Sequence, residues 1–332
     1  MRVPAVAVIL GACFVGGGRA AELRPIDQGP VDKGTVHFRP VGDQKNIPER
    51  YRLDEHTFSC ELAPKTELPG CDVDVFWLRF PSPVTSPTPE NNTVWAEYYR
   101  PRGKGPFPAV IVLDITAGDQ RVSRMIATHL ATNGIAGLFV QMSYYGPRRP
   151  PGSKLRFLSP DVNGTLENVR QTVLDLRRAA AWMASRPEID ANRLGILGTS
   201  LGSFMAALTA EMEPRLGRVA VLLGGGGLAD AYYDDPRAKA LRTVYEALGG
   251  SKEKFARWIA PADPLTCAAN LKERKVLMIA ARHDEIVFPR MAEALWQASG
   301  RQKIVWLDSG HYGAVAYIVP ALRQVVDHFG AP

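Results

Sequence analysis

The part of this sequence that most restricts the fold begins at Pro108, where apolar runs alternate with helical patterns. Residues 109–113 form a continuous apolar run, which is typical of a strand buried on both faces. Apolar residues between 166 and 183 recur every three or four positions, as they do on one face of a helix. By the same criteria we predict further strands at 134–142, 193–198, 218–223, 275–281 and 303–307, and helices at 120–133, 201–212, 289–299 and 314–329. This alternation predicts an α/β fold with a mostly parallel central sheet and helices on both faces.

Upstream of Pro108 the pattern differs. Aromatic and β-branched residues predict three strands at 56–62, 73–80 and 93–100. Residues 21–55 are rich in proline, glycine and charge without a clear period, so we predict an extended, poorly structured arm there. The α/β domain is then expected to span 56–332, with a short partial cap at 227–274, after the sixth strand, where the alternation of strands and helices is interrupted.

The first residues resemble a secretory leader. Arg2 precedes an apolar run at 3–15, and small residues suited to cleavage follow at Gly18 and Ala20, so we predict a signal peptide over 1–20. The run is shorter than the roughly 20 residues needed to span a bilayer. We therefore expect a secreted or periplasmic protein, with membrane attachment only if Cys13, which lies in a lipoprotein-like box, is lipidated.

Export to an oxidising compartment gives the cysteines a possible structural role. Cys60 and Cys71 flank a loop that contains a proline, and we predict a disulfide between them. No cysteine or histidine spacing fits a zinc site, so we predict no metal. The net charge of +6 is scattered along the 332 residues, which argues against a nucleic-acid-binding surface.

Residues 198–202 form a G-x-S-x-G motif between a predicted strand and a predicted helix. A sharp turn in this context exposes a serine hydroxyl above the sheet, and glycines on either side avoid a clash of Cβ atoms with the crowded backbone. A serine hydroxyl is a weak nucleophile until a base accepts its proton. We predict that Ser200 is a nucleophile and that a base lies nearby.

His311 is the best-placed base among the six histidines. It lies in a glycine-flanked loop directly after the predicted strand 303–307, which should end at the same sheet edge as Ser200. The remaining histidines fall in the arm, at the start of a strand, within helices or beside the candidate acid: His37, His56, His129, His328 and His283.

The base needs an anion to orient it and to stabilise the imidazolium. Asp284 directly follows the predicted strand 275–281 and should emerge at the same edge. A carboxylate before a helix is also a common cap or surface residue. Asp230, Glu285 and Asp308 are alternatives, and Asp230, which follows the preceding strand, is the most serious of them.

Residues 144–149 follow the predicted strand 134–142 and should lie near the mouth of a pocket at this edge. We predict that Tyr144, Tyr145, Arg148 and Arg149 bind an acidic or polar part of a substrate. The alternative is that the arginines are solvated and the tyrosines only pack.

The order Ser200, Asp284, His311 is that of α/β hydrolases. From about residue 71 to the end, roughly three quarters of its length, the chain resembles an α/β-hydrolase-fold serine esterase. It is most similar to bacterial esterases grouped with dienelactone hydrolases, acetylxylan esterases and the catalytic domain of prolyl oligopeptidases. The resemblance rests on residues 198–202, 282–289 and 310–313. It is specific for fold and not for substrate.

The resemblance also implies an oxyanion hole. In that family the backbone N–H of the residue after the nucleophile is one donor, which corresponds here to Leu201. The second donor comes from the loop after the third strand of the family fold, which corresponds to Ile115 or Thr116. This loop lacks the family's usual His-Gly pattern, so both residues remain candidates.

Together these features predict a secreted serine hydrolase that cleaves a carboxylic ester without a cofactor. The expected substrate is a small-molecule ester or an acylated carbohydrate. Alternatives are a lipid acyl hydrolase or thioesterase, a peptidase using the same residues, and a non-catalytic binding protein that has kept the fold.

Overall fold

The computed structural model describes residues 31–68, 71–116, 119–159, 161–233 and 235–331. The predicted leader at 1–20, including Cys13, lies outside the described residues, as does the start of the predicted arm. Within the described ranges, no helix is both long and apolar enough to cross a membrane.

The strands of the described residues form one ten-stranded sheet. They are β1 (Asp32–Phe38), β2 (His56–Leu68), β3 (Val73–Pro81), β4 (Thr93–Pro101), β5 (Phe107–Leu113), β6 (Ala136–Val140), β7 (Ile189–Thr199), β8 (Leu216–Leu222), β9 (Lys275–Ala281) and β10 (Lys303–Leu307). Their order across the sheet is β1-β2-β3-β4-β6-β5-β7-β8-β9-β10. The first four strands pair antiparallel, and all pairs from β6 to β10 are parallel.

Helices cover the parallel part of the sheet on both faces, which confirms the predicted fold class. The helices are α1 (Arg121–Thr132), α2 (Val162–Ala184), α3 (Leu201–Met212), α4 (Leu228–Tyr232), α5 (Lys239–Ala247), α6 (Lys252–Ile259), α7 (Pro289–Ala298) and α8 (Ile318–Gly330). Buried residues of α1 and α8 share one core, and those of α2, α3 and α7 share the other. Helices α4, α5 and α6 lie between β8 and β9, where the cap was expected.

The arm predicted at 21–55 is partly wrong, because β1 belongs to the sheet. It pairs antiparallel with β2, from Asp32 opposite Leu62 to Phe38 opposite His56. Val36 and Phe38 are buried while His37 between them is exposed. This alternation is a strand pattern that the surrounding prolines and glycines obscure.

The predicted disulfide is also wrong: Cys60 and Cys71 are free thiols. Cys60 is buried on β2, eight residues before the strand ends at Leu68, whereas Cys71 is exposed in the turn that leads to β3. At about 3.3 Å per residue the two lie roughly 26 Å apart along the hairpin. A disulfide requires Cα atoms within about 7 Å of each other.

Candidate active site

Ser200 occupies the turn between β7 and α3 in a strained backbone conformation. Its φ of 51° and ψ of −118° are uncommon for a residue with a side chain. The Ser200 N–H donates to the carbonyl oxygen of Leu222 on β8 at 2.9 Å, and the Ser203 N–H donates to the carbonyl oxygen of Ser200 at 2.9 Å. These bonds tie the turn to the sheet and to the first turn of α3.

The glycines on either side of Ser200 are required by close backbone contacts. A Cβ atom at Gly198 would lie 2.0 Å from the carbonyl oxygen of Gly202. A Cβ atom at Gly202 would lie 2.5 Å from the carbonyl oxygen of Asp114. Side chains at either position would force β7, α3 and the loop after β5 apart.

The structure brings Ser200, His311 and Asp284 together. His311 Nε2 lies 3.1 Å from Ser200 Oγ, and His311 Nδ1 lies 2.7 Å from Asp284 Oδ2. All three residues are buried. They follow β7, β10 and β9, which are parallel strands separated only by β8 between β7 and β9, so the carboxyl ends of these strands place the three residues at one edge of the sheet. The geometry suits transfer of the serine proton to an imidazole that a carboxylate orients.

The rival carboxylates lie elsewhere. Asp230 is exposed on α4 and pairs with Lys252 at 3.1 Å. The exposed Asp308 pairs with His283 at 2.9 Å, which places that histidine outside the Ser200 contact. Glu285 is close to His311 but accepts its backbone N–H at 3.2 Å rather than contacting the ring.

The structure distinguishes between the three residues predicted to donate to the oxyanion. Leu201 is the first residue of α3, directly after Ser200. The Ile115 N–H already donates to Oδ1 of Asp114 at 2.7 Å, so the prediction for Ile115 is wrong in this conformation. Thr116, the next residue of the same loop, remains as the second predicted donor.

Asp114 is a residue that the sequence analysis missed. It directly follows β5, and its side chain is 3% exposed. Burial raises the pKa of the Asp114 carboxyl to about 6. The sequence offered one signal for this residue. It is acidic, it comes immediately after a continuous apolar strand, and it lies next to the loop proposed for the oxyanion hole.

The predicted substrate-binding group at 144–149 is only partly compatible with the structure. Arg148 is fully buried and pairs with Asp175 of α2 at 2.7 Å. It also donates to the carbonyl oxygens of Gln141 and Asn91, so the prediction that it binds substrate is wrong. The Tyr144 hydroxyl lies 3.3 Å from Thr88 Oγ1.

The other members of this group are partly exposed. The Tyr145 ring packs against Phe157 with a centroid distance of 6.3 Å. Burial and the nearby Arg156 lower the pKa of Arg149. Contact of Tyr144, Tyr145 or Arg149 with a substrate stays a prediction. Within the described ranges, no group of three or more His, Cys, Asp or Glu side chains could hold a metal ion.

Comparison with known proteins identifies the fold of this chain. The prolyl oligopeptidase family matches residues 162–310, and the family described as alpha/beta hydrolase domain containing 18 matches residues 88–224. Acetyl xylan esterase 1 from Thermoanaerobacterium sp. JW/SL YS485 superposes with a TM-score of 0.60 at 18% identity, covering 81% of this chain and 87% of that one. The chain has the α/β-hydrolase fold. This confirms the predicted resemblance.

Two further structures are similar to this chain. An acetyl xylan esterase from Paenibacillus sp. R4 has a TM-score of 0.60 at 17% identity and covers 81% of this chain and 88% of that one. A putative dienelactone hydrolase from Klebsiella pneumoniae has a TM-score of 0.54 at 19% identity, with 78% and 99% covered.

Among curated sequences, an uncharacterized protein of Mycobacterium tuberculosis (strain CDC 1551 / Oshkosh) is 30% identical to this α/β-hydrolase-fold chain over 183 residues. The matched region is 51% of this chain and 40% of that relative, so this chain spans less than half the length of the relative it matches.

Proposed function

We propose that this chain is a serine hydrolase that cleaves carboxylic esters through an acyl-enzyme. The observation that carries the proposal is the continuous pair of contacts from Ser200 Oγ to His311 Nε2 at 3.1 Å and from His311 Nδ1 to Asp284 Oδ2 at 2.7 Å. A nucleophile, a base and an orienting anion in contact are the parts that acyl transfer requires.

In the proposed acylation step, Ser200 Oγ attacks the ester carbonyl carbon while His311 Nε2 accepts the serine proton. The carbonyl oxygen becomes an oxyanion, which the Leu201 N–H and the Thr116 N–H would stabilise; removal of one such donor typically costs about 3 kcal/mol. Collapse of the intermediate breaks the bond from carbon to the alcohol oxygen, and His311 gives its proton to that oxygen. The products are the free alcohol and an ester on Ser200.

Deacylation repeats these steps with water as the nucleophile. His311 accepts a proton from water, and the water oxygen bonds to the acyl carbon. The bond from this carbon to Ser200 Oγ then breaks, His311 returns the proton to Oγ, and the acid leaves. Asp284 orients His311 in both halves and balances its charge. None of these proposed steps needs a cofactor.

The substrate class is supported by the comparisons. Two of the similar structures are acetyl xylan esterases, which favours a small-molecule ester or an acylated carbohydrate as the substrate. The match to the prolyl oligopeptidase family favours a peptidase as the second candidate. The leader-like residues at the start of the chain support a secreted or periplasmic location.

A fluorophosphonate probe tests the nucleophile. We expect the native protein to be labelled and Ser200→Ala not to be labelled. Ser185→Ala is the matched control, because Ser185 follows α2 at the opposite edge of the sheet and should leave labelling unchanged. Labelling of Ser200→Ala at the native level, or no labelling of folded native protein, would contradict the proposal. Hydrolysis rates on acetyl, butyryl and longer acyl esters and on a prolyl amide then separate an esterase from a peptidase.

A further inference from the structure

An exposed apolar surface begins beside the proposed base. We call it the apolar rim and define it as Tyr312, Val315 and Val319. Their side chains are 70%, 71% and 57% exposed, which makes them among the most exposed large apolar residues described. They lie on the 3-10 helix Tyr312–Tyr317 and on the first turn of α8, three and four residues apart, so they share one side of this segment.

The sequence around the rim carries no charge of its own. From 309 to 322 there is no Asp, Glu, Lys or Arg. The other exposed residues of this stretch, Gly313, Ala316 and Pro320, are also non-polar. Scattered apolar residues on a surface need no explanation, but a contiguous group next to a site indicates that something apolar binds there.

The rim is continuous with the reacting groups. The ring of Tyr312 meets the ring of His311 edge-on, with a centroid distance of 5.5 Å and an angle of 84° between planes. His311 itself is the residue that caps the 3-10 helix. A ligand on the rim would therefore extend directly from the imidazole.

The buried residues of the cap pack on the opposite face of the sheet from those next to the rim. Buried cap residues such as Phe255 and Ile259 belong to the core shared with α3 and α7. Rim neighbours such as Ala314 and Leu322 belong to the core shared with α1 and α8. A group that leaves the site on the His311 side therefore meets the rim rather than the buried part of the cap.

The proposed chemistry decides which part of an ester reaches this surface. His311 Nε2 must protonate the oxygen of the leaving alcohol, so the alcohol lies on the His311 side of Ser200 Oγ. The carbonyl oxygen points instead toward the Leu201 N–H. We infer that the apolar rim binds the alcohol group of the substrate and that this group is an apolar alkyl or aryl alcohol. This inference rests on the proposed function and specifies its substrate class.

A series of alkyl acetates, used below their micelle-forming concentrations, tests the inference. Every member forms the same acetyl-enzyme, so differences between members report only on the alcohol. For native protein we expect kcat/KM to rise about threefold per covered methylene, on the order of 80-fold over the four methylenes that separate ethyl from hexyl acetate. In the double variant Val315→Ser/Val319→Ser, the increase in kcat/KM from ethyl to hexyl acetate should be about threefold or less. The rate of deacylation of the shared acetyl-enzyme should stay native.

Val41→Ser is the matched control for loss of a surface valine. Val41 is 38% exposed, and its neighbour Gly42 lies against Pro214, just before β8 and at the opposite edge of the sheet. This variant should keep the native chain-length dependence. Since the exchanged rim valines are exposed, all variants are expected to fold, and their thermal unfolding should match that of native protein.

The outcomes separate this inference from the proposed function. Three outcomes would overturn the inference and leave the proposed esterase activity in place. They are a kcat/KM that does not change with alkyl length in native protein, an equal increase of kcat/KM in the double variant, and faster hydrolysis of acetylated xylose than of hexyl acetate. A dimer or a vesicle-bound form that the double variant abolishes would also overturn it, by assigning the rim to a second copy or to a lipid surface. Failure of fluorophosphonate labelling would overturn the proposed function itself.

Discussion

The two carboxylate oxygens of Asp284 have different partners. Its Oδ2 contacts His311 Nδ1, while its Oδ1 accepts the backbone N–H groups of Ile286 and Val287 at 2.8 Å each. The two backbone bonds hold the carboxylate in place, so the other oxygen presents a fixed acceptor to the imidazole. In the proposed mechanism, Asp284 therefore sets both the position and the tautomer of His311.

Replacing Asp284 by Asn should reduce kcat by about 10⁴-fold, because an amide can hold the imidazole in the wrong tautomer and cannot balance its charge. Folding should change little, since the amide oxygen can still accept the two backbone bonds. Ester hydrolysis and thermal unfolding measure the two effects. Asp230→Asn is the control and should be native in both. Near-native turnover in Asp284→Asn would remove this residue from the mechanism.

Single residues at strand ends could be predicted from the sequence because chain order and strand direction decide which edge they reach. Ser200, Asp284 and His311 are of this kind. Arg148 is not, because its partner Asp175 comes from a helix that begins after a loop, and no sequence pattern shows that the pair is buried.

At the scale of secondary structure, the β7–α3 turn is the element on which the site depends. Ser200 can adopt its positive φ only where the surrounding contacts compensate for the strain. A Cβ atom added at Gly198 or Gly202 would meet backbone atoms of the neighbouring elements. An atom added at either glycine must therefore displace a whole helix, strand or loop and not just a side chain.

Gly198→Ala should lower the free energy of unfolding by about 1–3 kcal/mol and abolish activity, because its Cβ would overlap the backbone of Gly202. Urea unfolding and ester hydrolysis test this. Gly217→Ala on β8 is the matched control, since a Cβ there meets nothing within 4 Å. An active Gly198→Ala protein of native stability would show that the turn is less tightly packed than the structure indicates.

Elements with strong periodicity were predictable, and β1 was not. The apolar run of β5 and the helical spacing in α2 each span enough residues to identify the element. In β1 only Val36 and Phe38 carry the alternating pattern. The pairing with β2 that makes this segment a strand is a contact between distant residues, which local sequence does not encode.

At the scale of the whole molecule, buried titratable groups make stability depend on pH in both directions. Burial raises the pKa of Asp114 to about 6 and raises that of Glu211, which also lies near Asp263. These carboxyls stabilise the fold only while protonated, so their contribution is lost as pH rises. Burial, helped by Arg218, lowers the pKa of His328 to about 4, so its contribution is lost as pH falls.

Asp114→Asn isolates one of these contributions. The folded pKa of Asp114 is above the unfolded value of 3.8, so its ionisation destabilises the native state progressively from about pH 4 to pH 6. An Asn cannot ionise, and its amide oxygen can still accept the Ile115 N–H. Relative to native protein, the variant should gain about 2.4 kcal/mol of unfolding free energy between pH 4 and pH 7. Urea unfolding at both pH values measures the gain, and an unchanged difference would contradict the raised pKa.

The spacing of the three site residues along the chain has a consequence for synthesis. Ser200 follows β7, but Asp284 and His311 follow the last two strands, β9 and β10. A nascent polypeptide that has emerged only as far as the cap therefore carries a serine with neither its proton acceptor nor the anion that orients it. If the proposed chemistry holds, a product terminated before His311 remains inert toward cellular esters, and reactivity arises only after β10 and the loop that follows it have been made.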